Sequence, residues 1–152
     1  MDIKISNQLL TFDQFQSFIK EVEQDFVPPL LDRVNIAEFY NKVNSLAVLY
    51  GCYRKDELIG LCIFYANDFE TKKAYVTFLA VDRKHRGNNI AGELLKDVCI
   101  YAKEQGMESI GLHTYNIIAK ECYLKNGFSL KEVYFDVNYN NTSVNFYRKI
   151  KS

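Results

Sequence analysis

Between Val81 and Leu95 the chain reads V-D-R-K-H-R-G-N-N-I-A-G-E-L-L. An apolar run, Ala74 to Val81, stops in a basic, glycine-containing turn, and an amphipathic segment begins at Ile90 with almost no linker. A strand that passes into a helix in this way aims backbone N–H groups, and the positive end of the helix dipole, at whatever occupies the turn. The chemistry on offer is anion binding, with a phosphate as the fitting occupant. Arg83, Lys84, His85 and Arg86 place positive charge beside the helix start. Neither G-x-x-x-x-G-K-[ST] nor G-x-G-x-x-G is present, so the turn is not a P-loop or a dinucleotide fingerprint.

The elements that must position this turn follow from periodicity and breakers. Thr11 with Gln14 resembles a capping box, and Phe12, Phe15, Phe18 and Ile19 recur at helical spacing, which predicts a helix near residues 12–24. Pro28-Pro29 interrupts the chain, and Asn35 with Glu38 predicts a second helix to about Asn44. Residues 46–54 and 58–66 read as a hairpin around Lys55-Asp56-Glu57. Ala74 to Val81 reads as a strand apolar on both faces, as a central position requires. Leu94, Val98 and Tyr101 line one side of the helix from Ile90, with Gln105-Gly106 as its C-cap. A strand at Ile110–Thr114, a helix at Ile117–Asn126 ended by Gly127, and strands at Phe128–Val137 and Thr142–Ile150 complete the order β, α, α, β, β, β, α, β, α, β, β. The central strand-helix-strand unit predicts a parallel pair with a right-handed crossover, and the hairpins predict antiparallel neighbours. The fold class is therefore a mixed α/β sheet with helices on both faces.

With 152 residues, the chain reads as one domain, 1–152. Lys plus Arg equals Asp plus Glu at 19 each, which removes a global electrostatic case for nucleic acid. No apolar stretch approaches the roughly 20 residues that span a bilayer, so no membrane partner is expected. The N-terminus lacks a basic, then apolar, export pattern, and Cys52, Cys62, Cys99 and Cys122 form no C-x-x-C. These thiols are expected to be reduced and mostly buried in a cytoplasmic protein. The cysteines and histidines show no metal-ligand spacing, and no metal is expected.

Two motifs resemble those of the GNAT (GCN5-related N-acetyltransferase) family. The family's motif A, R/Q-x-x-G-x-G/A between its fourth strand and third helix, is matched by Arg86-x-x-Asn89-x-Ala91. Val81, Gly87, Ile90 and Leu94-Leu95 fit the wider pattern. Asn89 departs from it, because the family usually has glycine there. Asn is the non-glycine residue best able to take up unusual turn dihedrals, but it brings a side chain to the space of a pyrophosphate. Motif B, N-x-x-A-x-x-x-Y-x-x-x-G-F, is matched at Asn116, Ala119, Tyr123, Gly127 and Phe128. The motifs cover roughly residues 74–128, and the flanking helices and hairpin extend the resemblance to nearly the whole chain. The resemblance implies a mostly antiparallel sheet with a central splayed parallel pair.

It also implies acetyl-CoA, or a related acyl-CoA, as co-substrate. Backbone N–H groups of Arg86, Gly87, Asn88, Asn89, Ile90, Ala91 and Gly92 are then expected to hold the pyrophosphate. The edge formed by Leu79, Ala80 and Val81 is expected to pair with the pantetheine arm, and a bulge there to offer an N–H to the developing oxyanion. Tyr123 matches the family's general acid near the sulfur, and Asn116 a residue that contacts the cofactor. The general base stays open. Some members place a Glu where this chain has Tyr75, and Glu70, Asp68 and His113 are alternatives acting through water. His113 also reads as a sheet histidine, and Cys122 as a buried helix residue. The expected reaction is direct attack by a primary amine in a ternary complex. A small-molecule acceptor such as an amino sugar suits a single compact domain and the aromatic, polar segments at Phe64–Asp68 and Phe135–Tyr139. Acetylation of a protein, peptide or hydroxyl is the other enzymatic reading, and a non-catalytic CoA-binding module the reading of another class. Monomer and homodimer are both compatible.

Overall fold

The computed structural model describes residues 2–25, 29–32, 34–114, 120–136 and 141–149. Strand β1 (Lys4–Ser6) precedes helices α1 (Phe12–Val22) and α2 (Ile36–Leu46). The Thr11 hydroxyl accepts the Gln14 N–H at 3.1 Å and the Gln14 side chain accepts the Thr11 N–H at 3.2 Å, so the capping box forms reciprocally. Asn35 caps α2 by accepting the Glu38 N–H at 3.1 Å. Helix α1 stops at Val22 and tightens into a 3-10 turn, Glu23–Asp25, whereas α2 runs two residues beyond the expected Asn44.

Strands β2 (Val48–Arg54) and β3 (Glu57–Tyr65) meet at a two-residue turn, with Lys55 and Asp56 at φ of 50° and 66°. Two left-handed residues match the right-handed twist of a hairpin, so Glu57 belongs to the strand and pairs with Arg54. After β4 (Lys73–Val81) come α3 (Ile90–Glu104), β5 (Ser109–Thr114), α4 (Lys120–Lys125), β6 (Ser129–Asp136) and β7 (Asn141–Lys149). The sheet order is β1-β2-β3-β4-β5-β7-β6, and only β4 and β5 run parallel. Helix α3 is the crossover between them, as a parallel pair demands.

Helices pack on both faces of the sheet. Phe15, Phe18 and Ile19 of α1 and Val43 of α2 pack with Leu61, Ile63 and Phe78 on one face. Ile90, Leu94, Leu95 and Val98 of α3 pack with Cys62, Phe64 and Val76 on the other. Each such large side chain contributes about 1.5–3 kcal/mol on burial, which fixes α3 against the sheet.

Strand β4 differs from the expected continuous apolar run. Ala74 and Val76 face α3, Tyr75 and Thr77 are exposed, and Phe78 is buried beneath α1 and α2. The cause is a bulge. Phe78 lies opposite Ile63 and Val76 opposite Phe64, leaving Thr77 as an extra residue. One inserted residue reverses the side-chain alternation, so Leu79 and Val81 return to the α3 side while Phe78 and Ala80 face the helical pair.

Candidate active site

Strands β4 and β5 pair only from Lys73 opposite Ser109 to Val76 opposite Leu112. Beyond those residues β4 continues to Val81 and β5 to Thr114 with no pairing to each other among the described residues, and a wedge opens between them. On its other edge β4 stays bound to β3, with Leu79 opposite Cys62 and Val81 opposite Gly60. The Asp82 N–H donates to the Ile59 carbonyl at 2.8 Å. Backbone direction alternates along an antiparallel ladder, so Ala80 also faces β3, and the backbone groups of Leu79 and Val81 face the wedge. Arg86 Nε donates to the Val81 carbonyl at 3.1 Å on this same edge. The bulge expected within Leu79–Val81 lies just before it, at Thr77.

A rigid turn carries the chain from the wedge to α3. The Asp82 carboxylate is fully buried, accepts the Lys84 N–H at 2.8 Å and approaches His85 Nδ1 at 3.6 Å. The Asn88 carboxamide braces the same turn by donating to the His85 carbonyl at 3.0 Å. Gly87 at φ 87° and Asn89 at φ 57° then turn the chain into the helix. The αL conformation expected to be open to Asn at position 89 is therefore adopted. Asn89 makes no side-chain cap, and the first N–H bonded within the helix is that of Glu93, to the Asn89 carbonyl at 3.0 Å. The N–H groups of Ile90, Ala91 and Gly92 lie in the first turn, where no intrahelical acceptor exists.

This turn forms one wall of a cleft of about 360 Å³, with Arg86, Gly87, Asn89, Ile90, Ala91 and Gly92 along it and Val81 at its base. Cys122 and Lys125 of α4 form the facing wall. The exposed Arg86 and the Lys125 ammonium bring positive charge to the same opening, where an anion gains both charge and N–H donors.

The end of α4 explains the spacing of Tyr123, Gly127 and Phe128. Gly127 takes φ 89°, its N–H donates to the Leu124 carbonyl at 3.2 Å, and the Phe128 N–H donates to the Tyr123 carbonyl at 3.0 Å. These are the two bonds of a Schellman cap, which also brings Tyr123 and Phe128 together. The Tyr123 and Phe128 rings accordingly meet edge-on at 6.2 Å. Tyr123 is 8% exposed and packs with the α3-side core, while its neighbour Cys122 reaches the cleft.

Burial pushes the Cys122 thiol up, despite opposing effects from Asn126 and Lys125. Burial likewise raises Cys52, Cys62 and Cys99. All four are free thiols, and none has the lowered pKa of an activated nucleophile.

The candidate bases are dispersed. Asp68 and Glu70 sit in the exposed β3–β4 turn, about 20 Å along β4 from Leu79 at roughly 3.3 Å per residue. The Thr71 hydroxyl, donating to Asp68 at 2.6 Å, holds that carboxyl below its usual range. Tyr75 is half exposed where β4 and β5 are still paired, just ahead of the wedge. His113 lies on β5 opposite Asn145, at the wedge end of that strand, and its side chain is not among those described. Asn116 lies outside the described residues. Two residues of the cleft carried no sequence signal as site residues. Cys122 reads from the sequence as a buried helix residue, and Lys125 is one lysine among many until α4 is placed across from α3. Among the described residues there is no group of His, Cys, Asp and Glu that could hold a metal, and no helix long and apolar enough to cross a membrane.

A sequence model of the acetyltransferase (GNAT) family matches residues 13–128. No curated protein matches the chain. Among solved structures, a Bacillus anthracis protein designated a streptothricin acetyltransferase, in complex with acetyl coenzyme A, is 25% identical with a TM-score of 0.62. That match covers 70% of this chain and 64% of the Bacillus anthracis protein. The ribosomal-protein-S18-alanine N-acetyltransferase of Escherichia coli aligns over 99% of this chain and 96% of its own, at 16% identity and a TM-score of 0.76. An aminoglycoside 6'-N-acetyltransferase complexed with coenzyme A aligns over 100% and 98%, at 16% identity and a TM-score of 0.78. At 16% identity the last two likenesses concern the fold.

Proposed function

Because the chain belongs to the acetyltransferase (GNAT) family, we propose that it transfers an acetyl group from acetyl-CoA to the primary amine of a small molecule, by direct attack in a ternary complex. The observation that carries the reading is a strand edge that faces the wedge beside an uncapped helix start. The edge at Leu79 and Val81 faces the wedge, and the first turn of α3 opens onto the cleft at its end. Such an arrangement suits a cofactor with an amide-bearing arm and a pyrophosphate. In this reading the N–H groups of Ile90, Ala91 and Gly92 hold the pyrophosphate, with Arg86 and Lys125 flanking it. The wedge-facing edge from Leu79 to Val81 pairs with the pantetheine amides and sets the thioester at the apex of the wedge.

The Leu79 N–H, next to the bulge, is the donor for the thioester oxygen as it gains negative charge. The acceptor amine attacks the carbonyl carbon, a C–N bond forms, the C–S bond breaks, and the electron pair leaves with sulfur. Tyr123 supplies a phenol proton, or a hydrogen bond, to the departing thiolate. The amine loses its proton through water to a base near the wedge, for which Tyr75 and His113 are nearer in the fold than Glu70. The half-buried Tyr65 and half-exposed Tyr75, paired across β3 and β4, form an aromatic surface suited to the apolar face of an amino sugar.

A thiol-release assay with acetyl-CoA tests the reading against amino sugars, other small amines and peptides. Release with small amines supports it. Turnover of peptides alone overturns the choice of acceptor. Binding of CoA with no turnover of any amine identifies a non-catalytic module instead.

A further inference from the structure

Position 89 poses a steric problem that the structure solves through a second residue. Asn89 adopts φ 57° and ψ 29°, and its carboxamide makes no capping bond to its own helix. A Cβ built on Gly92 would overlap Asn89 Oδ1 and stand 3.0 Å from Asn89 Cγ. The same Cβ would stand 3.0 Å from Asn126 Oδ1. The Asn89 carboxamide therefore lies against the bare Cα of Gly92, in the space that any other side chain would take. Asn126 closes the far side of that space, and its Nδ2 is held by the Cys122 carbonyl at 2.7 Å. Gly92 has no backbone need to be glycine, since it lies inside a regular helix, where glycine weakens the structure relative to alanine. Its lack of a side chain is explained by what rests on it.

We infer that Gly92 is a positioning residue: it receives the Asn89 carboxamide and so keeps it off the N–H groups of Ile90 and Ala91. Asn89 and Gly92 together do what a glycine at position 89 does alone. The Asn89 side chain carries a carbonyl dipole as well as bulk. Turned toward Ile90 and Ala91, it sets its oxygen against a phosphate; seated on Gly92, it leaves those two N–H groups open. The inference rests on the acetyl-CoA reading given above.

The test is a double-mutant set titrated calorimetrically with acetyl-CoA and, in parallel, with S-acetylpantetheine, which lacks the pyrophosphate. Gly92→Ala is expected to raise the Kd for acetyl-CoA about tenfold or more while leaving S-acetylpantetheine within about twofold. Asn89→Gly combined with Gly92→Ala is expected to recover most of the loss. The idea is overturned if Gly92→Ala binds acetyl-CoA like the wild type, or if the double variant stays as weak as Gly92→Ala. Loss of both ligands together also overturns it, because the defect is then not local to the pyrophosphate. The Asn89 side-chain amide resonance in the ligand-free protein gives a readout independent of binding. It should shift in Gly92→Ala, and an unmoved signal contradicts the proposed seat. A wild-type protein that binds no acetyl-CoA overturns the underlying reading, and is distinguished by that resonance still shifting.

Discussion

Gly60→Ala is the perturbation that most directly links the core to the cradle. Gly60 lies on β3 beneath the first turn of α3, and a Cβ there would stand 3.0 Å from Ile90 Cγ2, 3.2 Å from Leu94 Cδ1 and 3.4 Å from Cys52 Cβ. Ile90 and Leu94 are 2% and 0% exposed, so neither can swing into solvent. Relief must come from a shift of α3 by a few tenths of an ångström, starting at Ile90, its first residue. Overpacking of this kind costs about 1–3 kcal/mol. For a chain of 152 residues, each kcal/mol lowers Tm by about 2–4 °C, which gives a drop of roughly 2–12 °C. The same shift misaligns N–H donors whose bonds to a charged group are worth about 1.5–3 kcal/mol each, so acetyl-CoA affinity should fall about tenfold. Gly51→Ala is the control. Its Cβ would meet the Tyr53 ring at 2.8 Å and Leu58 Cδ1 at 2.9 Å, contacts that belong to the α1 side of the sheet. It should destabilise at least as much without changing affinity. Differential scanning calorimetry and isothermal titration of both variants decide the matter. Equal loss of affinity in the two, or wild-type affinity in Gly60→Ala, refutes the coupling.

Tyr123→Phe should lower turnover by about 10²-fold or more, within the range of general acid catalysis, while acetyl-CoA affinity stays within about twofold; unchanged turnover removes Tyr123 from the chemistry. Cys122, half-buried in the wall of the cleft, should be alkylated slowly near pH 7, because burial raises its pKa, and more slowly still with CoA bound. Equal rates with and without CoA, followed by mass spectrometry, place the ligand elsewhere. Cys52 is fully buried and its thiol is pushed up from 9.0 to about 11. Between those values the unfolded chain loses this proton and the folded chain keeps it, so stability is retained below pH 9 and falls as pH rises. The slope due to Cys52 is about 1.4 kcal/mol per pH unit, or about 3 kcal/mol in all. Urea titrations from pH 8 to 11 should show a shallower decline for Cys52→Ala than for the wild type.

Local signals in the sequence carried much of this architecture. Thr11 with Gln14, Asn35 with Glu38, and Gly106 and Gly127 each bonded or turned as their types predict, because caps depend on residues only a few positions apart. The β4 bulge was not legible in this way. It depends on the register between Ile63 and Phe78, residues far apart in the chain, and a run of apolar residues reads the same with or without it. The hairpin turn was legible at Lys55-Asp56-Glu57, but its two-residue length was not, because Lys55 carries no signal for the positive φ it takes beside Asp56. At the site, the basic turn and helix start were readable because strand, turn and helix follow one another directly. The roles of Lys125 beside the cleft and of Asn126 beside Gly92 were not, because they arise only when α4 is set against α3.

In the proposed complex, acetyl-CoA lies along the wedge-facing edge of β4 with its pyrophosphate on the first turn of α3. Calorimetric comparison of acetyl-CoA with S-acetylpantetheine tests this placement most directly, because the two share the thioester and arm and differ in the anion. Even two charge-assisted hydrogen bonds, at about 1.5 kcal/mol each, predict that acetyl-CoA binds at least about a hundredfold more tightly. Equal affinities, or no binding of acetyl-CoA, contradict the account.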